Sequence, residues 1–159
     1  MAESPAPEIP TIYAWAGGRD AFARWLNAFY DLVEDDDLLA PVFGGTVSAE
    51  HRDHVTDWWA EVMGGPARYT SEHGGYEHML AKHVGLAISD EQRLRFVTLL
   101  SRAADVAALP ADPELRAALM GYAEWGTRLA VGNSQPGAQA APHAPVPRWG
   151  WGVAPPYQG

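Results

Sequence analysis

The sequence predicts an all-α domain, and three observations support this fold class. Between residues 11 and 134, apolar side chains recur at the i, i+3, i+4 and i+7 spacing of a helical face. No stretch alternates apolar and polar residues as a half-buried strand would. Gly-Gly pairs at 17–18, 44–45, 64–65 and 74–75 interrupt the pattern, and we expect about five or six helices between and after them.

The first long helix is predicted from Ala21 to Val33, because one face of it is almost entirely apolar or aromatic. That face carries Phe22, Trp25, Leu26, Phe29, Tyr30 and Val33. The acidic run at 34–37 is interpreted as a solvated helix end. Ser48 can cap the next helix, whose stripe runs through Val55, Trp58, Trp59 and Val62 before the Gly-Gly-Pro stop at 64–66. His51 lies one turn before Val55 on that stripe, and His54 borders it.

A short helix follows, and it places a histidine on an apolar face. Tyr76, Met79, Leu80 and His83 share the i, i+3, i+4, i+7 spacing, and Gly85 can end the helix. A neutral imidazole in this position can ligate haem iron, with Met79 and Leu80 under the porphyrin. Taken alone, such a pattern more often marks a satisfied core histidine.

Two longer helices complete the predicted domain. Ser89 and Gln92 form a capping box, and Asp112-Pro113 begins the last helix. Their inner faces carry Phe96, Leu99, Leu100, Ala103, Ala104 and Ala107, and then Leu115, Leu119, Tyr122, Gly126, Leu129 and Ala130.

Both ends of the chain differ in composition from the helical part. Residues 1–10 hold three prolines and are predicted to be a disordered leader, whereas 11–134 form the domain. Residues 135–159 hold six prolines and four glycines, which predicts a flexible tail without helices. The tail also contains Trp149 and Trp151, so a second interpretation is that it docks on this domain or on a partner.

Composition excludes several classes of function. The net charge of −9 argues against nucleic acid and against anionic membrane surfaces. The absence of cysteine excludes disulfides, thiolate metal sites and a cysteine nucleophile. No apolar run approaches the roughly 20 residues of a membrane span, and no secretory signal is recognisable, so we expect a cytoplasmic protein.

Several motifs together resemble the group II truncated haemoglobins, which are globins shortened to a two-over-two helical sandwich. The most specific is Gly64-Gly65-Pro66-x-x-Tyr69 with a histidine 14 residues past the tyrosine. The others are Gly17-Gly18, Phe29-Tyr30, Pro41-Val-Phe43, Met79-Leu80-x-x-His83 and Tyr122-x-Glu124-x-x-x-x-Leu129. The resemblance covers roughly residues 11–134.

The resemblance implies haem b (iron protoporphyrin IX), with His83 as its proximal ligand. Tyr30 is then the distal tyrosine that bonds the diatomic ligand, and Phe43 packs on the haem edge. His51 and Val55 fall on the distal wall, and His54 and Lys82 fall near the propionates. For His51 four roles stay open: bonding the ligand, gating the pocket, ligating iron, or capping the pocket in solvent. Tyr69, Met79 and Leu80 belong to the motifs that surround the cofactor.

One position departs from the family pattern. Group II members usually have a tryptophan 13 residues past the proximal histidine, and its indole N–H bonds the ligand; this chain has Phe96 there. Phenylalanine fills apolar volume and donates nothing. Ligand stabilisation would then depend on Tyr30 and His51. Loss of one neutral hydrogen bond speeds ligand release by about 2- to 13-fold.

The predicted function is a haem-binding globin that reversibly binds O₂, CO and NO. NO dioxygenase or peroxidase-like activity is left open, because one haem pocket supports either, and the former needs a reductase partner. The alternative from another class is a haem-free helical interaction or sensor module that kept the globin fold. A monomer and a homodimer are equally compatible with the sequence.

Overall fold

A computed structural model describes residues 2, 4–5, 8–140 and 143–153, and this part of the chain is helical apart from turns and the tail. The helices are α1 (Ile12–Ala16), α2 (Gly18–Glu34), α3 (Ala49–Val62), α4 (Arg68–Glu72), α5 (Gly75–His83), α6 (Asp90–Val106) and α7 (Pro113–Ser134), with a 3₁₀ turn at Ala40–Phe43. The predicted all-α fold is confirmed. No helix in the described ranges is long and apolar enough to cross a membrane.

Three predicted helix caps are confirmed, whereas α2 begins at Gly18 and not at the predicted Ala21. The Ser48 hydroxyl accepts from the His51 N–H, and the Asp112 carboxylate accepts from the Leu115 N–H. Ser89 and Gln92 form both halves of the capping box. Each cap satisfies a helix N–H that has no partner within its own helix. These starts depend only on residues three positions apart, and this explains why the sequence alone locates them.

Helix α2 lies at the centre of the core and packs against α3 and α6, while α6 also packs against α7. Its six predicted inward residues are all 2% exposed or less. Trp25 is fully buried, and its indole N–H donates to the Leu100 carbonyl at 2.9 Å, which fixes α2 against α6. Burial of side chains this large supplies most of the favourable free energy of such a core.

The turn at 64–66 brings α1 across the end of α3. A Cβ at Gly65 would lie 2.7 Å from the Tyr13 ring and 2.8 Å from the Ala60 carbonyl oxygen. Gly64 has a φ of +96°, which side chains rarely adopt. The Tyr13 N–H donates to the Met63 carbonyl at 2.9 Å across this close approach. The two glycines of the Gly-Gly-Pro motif are therefore required by the close approach of α1 and by the backbone conformation of the turn.

The prediction for the acidic run is wrong in one respect. Asp36 is not a solvated charge, because its carboxylate accepts from the backbone N–H groups of Leu38 and Leu39 and pairs with Arg95. Glu34 accepts from the Val47 N–H and pairs with Arg52. The run thus orders the corner that leads from α2 into the 3₁₀ turn.

The tail contacts the domain. Val146 is buried, the Trp149 N–H donates to the Val62 carbonyl at 2.8 Å, and the Trp151 indole donates to the Pro10 carbonyl at 2.7 Å. For 146–151 the structure thus agrees with the docked interpretation, and the predicted flexible tail is not seen there. Part of the predicted leader and tail, namely residues 1, 3, 6–7, 141–142 and 154–159, lies outside the described residues.

Candidate functional site

One cavity of about 710 Å³ collects the predicted site residues. Its walls come from the helices α2 to α7 and from the 3₁₀ turn. The predicted residues that line it are Tyr30, Phe43, His51, His54, Val55, Tyr69, Met79, Leu80, Lys82, His83 and Phe96. A volume of this size is typical of a cofactor or small-molecule site. The structure therefore places every sequence-predicted site residue around a single cavity.

His83 is the last residue of α5, and its ring orientation is set by a backbone carbonyl. The imidazole Nδ1 lies 2.8 Å from the Met79 carbonyl oxygen one turn earlier, so Nδ1 carries the proton and donates. A carbonyl cannot donate, and the neutral ring must therefore leave Nε2 as a lone-pair donor. Metal-ligating histidines use this arrangement to fix the tautomer and the ring plane.

On the distal wall, Tyr30 and His51 form a polar pair inside an aromatic frame. The Tyr30 hydroxyl and His51 Nε2 are 3.2 Å apart, and Phe43 contacts both rings edge-on at 5.6 and 5.8 Å between centroids. Burial raises the pKa of Tyr30 far above its ordinary value. Burial, with the charges of Lys82 and His54 next, lowers the pKa of His51. Both side chains are therefore neutral near pH 7, and each can donate or accept.

His54 lines the cavity and contacts a partly buried ion-pair network. Its ring packs at a tilt on His73, with 4.0 Å between centroids, and His73 Nε2 lies 2.9 Å from the Asp57 carboxylate. Arg19 also donates to Asp57, at 3.1 Å. Burial alone would raise the pKa of Asp57, but the hydrogen bonds from His73 and Arg19 outweigh it and hold the pKa low.

Asp57, Glu72 and His73 bring ligand atoms within 4.8 Å of one another, the only such trio among the residues that the structure describes. Arg19 bonds Asp57, and Arg68 pairs with Glu72 at 3.1 Å and lies 3.8 Å from Asp57. These guanidinium groups already balance the carboxylates. We interpret the trio as an ion-pair network and not as a metal site.

Phe96 contributes no polar atom to the cavity. Its ring packs edge-on against Phe29 at 4.7 Å, and Phe29 in turn contacts Tyr30 at 4.8 Å. Its wall is therefore apolar where the usual tryptophan would donate a hydrogen bond. Lys82 is exposed at the rim. The Lys82 cation and the polar His54 ring are suited to carboxylate groups of a guest molecule.

Sequence reasoning missed a second polar pair in the wall. Trp58 and Tyr122 were predicted only as core residues, yet both line the cavity, and the Trp58 indole donates to the Tyr122 hydroxyl at 3.0 Å. Burial raises the pKa of Tyr122 far above its ordinary value. The available signal was Gly126, one turn after Tyr122, where an added Cβ would lie 3.1 Å from the tyrosine ring.

An all-α fold in which an oriented histidine and a buried tyrosine line the same cavity fits a globin. Comparison with known proteins identifies the family: residues 11–124 match the profile of the bacterial-like globins, and the chain belongs to that family. Its relatives are truncated haemoglobins, which confirms the predicted family. Membership implies a haem-binding globin.

Relatives occur in both groups of truncated haemoglobins. The chain is 28% identical over 92 residues to the group 1 truncated hemoglobin GlbN of a Nostoc species, which covers 51% of this chain and 78% of the relative. It is 26% identical over 118 residues to the group 2 truncated hemoglobin YjbI of Bacillus subtilis, covering 74% and 86%. The crystal structure of the truncated oxygen-avid haemoglobin of Bacillus subtilis aligns with a TM-score of 0.68 and 25% identity, over 77% of this chain and 99% of that one.

Proposed function

We propose that this chain binds haem b through His83 and uses Tyr30 and His51 to hold a diatomic ligand on the opposite side. The observation that carries the proposal is the His83 hydrogen bond to the Met79 carbonyl, which leaves Nε2 free to face the same cavity as the Tyr30 hydroxyl. The name of the oxygen-avid Bacillus subtilis relative gives independent support for O₂ as a ligand.

The residues present fit the cofactor. Apolar side chains Val55, Met79, Leu80 and Phe43 suit the porphyrin faces and edge, and Lys82 and His54 suit the propionates. Haem, when bound, supplies a ferrous iron that can take O₂, CO or NO as its sixth ligand. The protein supplies one neutral imidazole, an apolar enclosure and the distal hydroxyl.

The distal residues determine how firmly a ligand is held. Tyr30 is a neutral phenol near pH 7, so its O–H can donate to a polarised ligand atom. In the present arrangement that hydroxyl is 3.2 Å from His51 Nε2. If Nε2 is unprotonated it accepts the tyrosine proton, and if it is protonated it donates to the tyrosine oxygen and leaves the tyrosine proton free. The tautomer of His51 therefore determines whether the Tyr30 O–H can donate a hydrogen bond to a ligand.

NO dioxygenation and peroxide chemistry are further uses of the same pocket, and the polar Tyr30–His51 pair suits either one. NO dioxygenation also requires a reductase partner. These activities stay predictions, as does the choice between monomer and homodimer.

The first experiment is an absorption spectrum of protein reconstituted with stoichiometric haem, in the ferric form and in the ferrous form with CO. We expect a sharp Soret band that shifts with CO in the native chain and is altered in His83→Ala. The matched control is His78→Ala, which removes another cavity histidine on α5 without touching the proposed ligand. Absence of haem uptake by the native chain would instead favour the haem-free interaction or sensor module.

A further inference from the structure

The docked tail forms part of the cavity wall. Pro147 lines the cavity directly, and Trp149 contacts two further lining residues, Tyr122 at 5.6 Å and Trp125 at 5.8 Å between ring centroids. We refer to residues 146–151 as the strap. The match to the family profile ends at residue 124, so the strap lies outside the matched region.

Three attachments hold the strap along its length. Val146 is buried against the core, and the Trp149 N–H donates to the Val62 carbonyl at the end of α3. That carbonyl is one of the last in its helix and needs a partner from outside. At the far side, the Trp151 indole donates to the Pro10 carbonyl. A segment anchored by two hydrogen bonds and a buried side chain is a fixed wall and not a loose terminus.

Trp149 also sets the position of the side chains beneath it. Its indole lies over Gly121 of α7, where an added Cβ would lie 3.5 Å from the ring, so the glycine leaves room for the indole on the helix surface. In this position the indole packs edge-to-face on Tyr122, whose hydroxyl accepts a hydrogen bond from Trp58. Aromatic pairs of this geometry constrain both rings.

We propose that the strap closes one side of the haem pocket, with Trp149 as a positioning residue for the Tyr122–Trp58 pair, and that it retains the bound cofactor. The inference rests on the proposed haem function. By linkage, a strap that strengthens haem binding must itself be held more firmly when haem is bound, and by the same factor.

Two measurements on the full chain test the proposal. The first is the rate of haem loss to an excess of a haem-scavenging apoprotein, for the native chain, Trp149→Ala and the control Val153→Ala. Val153 is fully exposed in the same tail. We expect haem loss to be about tenfold faster in Trp149→Ala, since two aromatic contacts are removed, and unchanged in the control. Equal rates in all three proteins overturn the proposal.

The second measurement is made on haem-free protein and then repeated with haem added. Arg148 is the only Lys or Arg after position 134, and the peptide bond that follows it lies in the docked strap. We expect trypsin to release the fragment 149–159 slowly from native haem-free protein, faster from Trp149→Ala, and more slowly from native protein once haem is added. Rapid release from the native chain with and without haem shows that the strap is not docked and overturns the proposal.

The two measurements also separate the proposal from the haem function. If native protein takes up no haem but resists trypsin, the haem function fails and the strap's cofactor role fails with it, while its docking stands. If haem binds normally and only trypsin release changes in Trp149→Ala, the strap docks without serving the pocket, and the proposal is wrong. If Trp149→Ala does not fold, Trp151→Phe removes the indole N–H bond to Pro10 and part of the ring that packs on the core, and it must shift both rates in the same direction, by less.

Discussion

The two tyrosines in the cavity wall, Tyr30 and Tyr122, are alike in burial and differ in their partners. They are 2% and 4% exposed, and burial raises the pKa of each far above the ordinary value. Tyr30 pairs with His51, which can donate or accept, whereas Tyr122 pairs with the Trp58 indole, which can only donate. Because the two tyrosines are buried alike, the hydrogen-bonding partner determines whether the direction of each hydroxyl's bond can change.

Because indole cannot accept, the direction of the Tyr122 bond is fixed: its oxygen accepts from Trp58. Within the described chain no acceptor for its own proton comes within hydrogen-bond distance. The Tyr30 bond can reverse with the tautomer of His51. We therefore expect the Tyr122 pair to act as a permanent structural bond and the Tyr30 pair to act as an adjustable one.

The largest expected difference is in stability. Tyr122→Phe leaves the buried Trp58 N–H without an acceptor, which costs about 1–3 kcal/mol in the free energy of unfolding. Tyr30→Phe leaves only the half-buried His51, which can turn toward solvent, so its cost stays near the net contribution of one neutral hydrogen bond, about 0.5–1.5 kcal/mol. Urea unfolding of the haem-free variants measures both values.

A double-mutant cycle is the control for this difference. Removing both partners, in Tyr122→Phe with Trp58→Phe, leaves no unpaired donor, and we expect a coupling between the two changes. Strictly additive effects, or a Tyr30→Phe variant as unstable as Tyr122→Phe, would contradict the fixed role of the Trp58 bond.

For the rate of O₂ release we expect the opposite order, with a larger effect of Tyr30→Phe than of Tyr122→Phe. Tyr30→Phe removes the distal donor and is expected to speed O₂ release from haem-loaded protein by about 2- to 13-fold, the equivalent of one neutral hydrogen bond. Tyr122→Phe is expected to leave the release rate within about twofold. Stopped-flow displacement of O₂ by CO measures both rates. A larger change in Tyr122→Phe than in Tyr30→Phe would show that Tyr122 on α7, and not Tyr30, stabilises the ligand.

How much of this site the sequence predicts depends on how far apart the interacting residues are. The caps at Ser48, Ser89 and Asp112 involve neighbours three positions away, and all of them are predicted. The spacing predicts the helix face on which His83 lies, whereas its hydrogen bond to the Met79 carbonyl four residues earlier was not predicted. Family motifs supplied Tyr30 and His51, whose 21-residue separation carries no local pattern.

Contacts between residues far apart in the chain could not be predicted from the sequence. Trp58 and Tyr122 are 64 positions apart, and the Trp151 bond to Pro10 spans 141. A tryptophan on an apolar stripe looks the same whether its indole bonds a core carbonyl, as Trp25 does, or a cavity-wall hydroxyl. Only the packing of α3 against α7 and the course of the tail distinguish these cases.

Phe96→Trp would add a third hydrogen-bond donor to the cavity wall. The indole N–H at this position would support the ligand together with Tyr30, and we expect O₂ release to slow by about 2- to 13-fold. The matched control is Phe96→Leu, which changes the wall without adding a donor, and its release rate should not slow. Equal slowing in both variants would show that volume and not hydrogen bonding controls release. Because Phe96 packs on Phe29, both variants need a stability measurement beside the kinetic one.

The smallest expected effect concerns the adjustable pair and its dependence on pH. The pKa of His51 lies below its ordinary 6.5, through burial first and then the charges of Lys82, His54, Arg52 and His83, so the folded protein resists protonation there more than the unfolded chain does. Below pH 6.5 the unfolded chain therefore binds more protons, and stability falls with pH until His51 is protonated in the folded state as well. His51→Gln should flatten this part of the stability curve of the haem-free protein, because glutamine can bond Tyr30 without titrating. An unchanged slope between pH 6.5 and 5 in His51→Gln would show that His51 does not carry this titration.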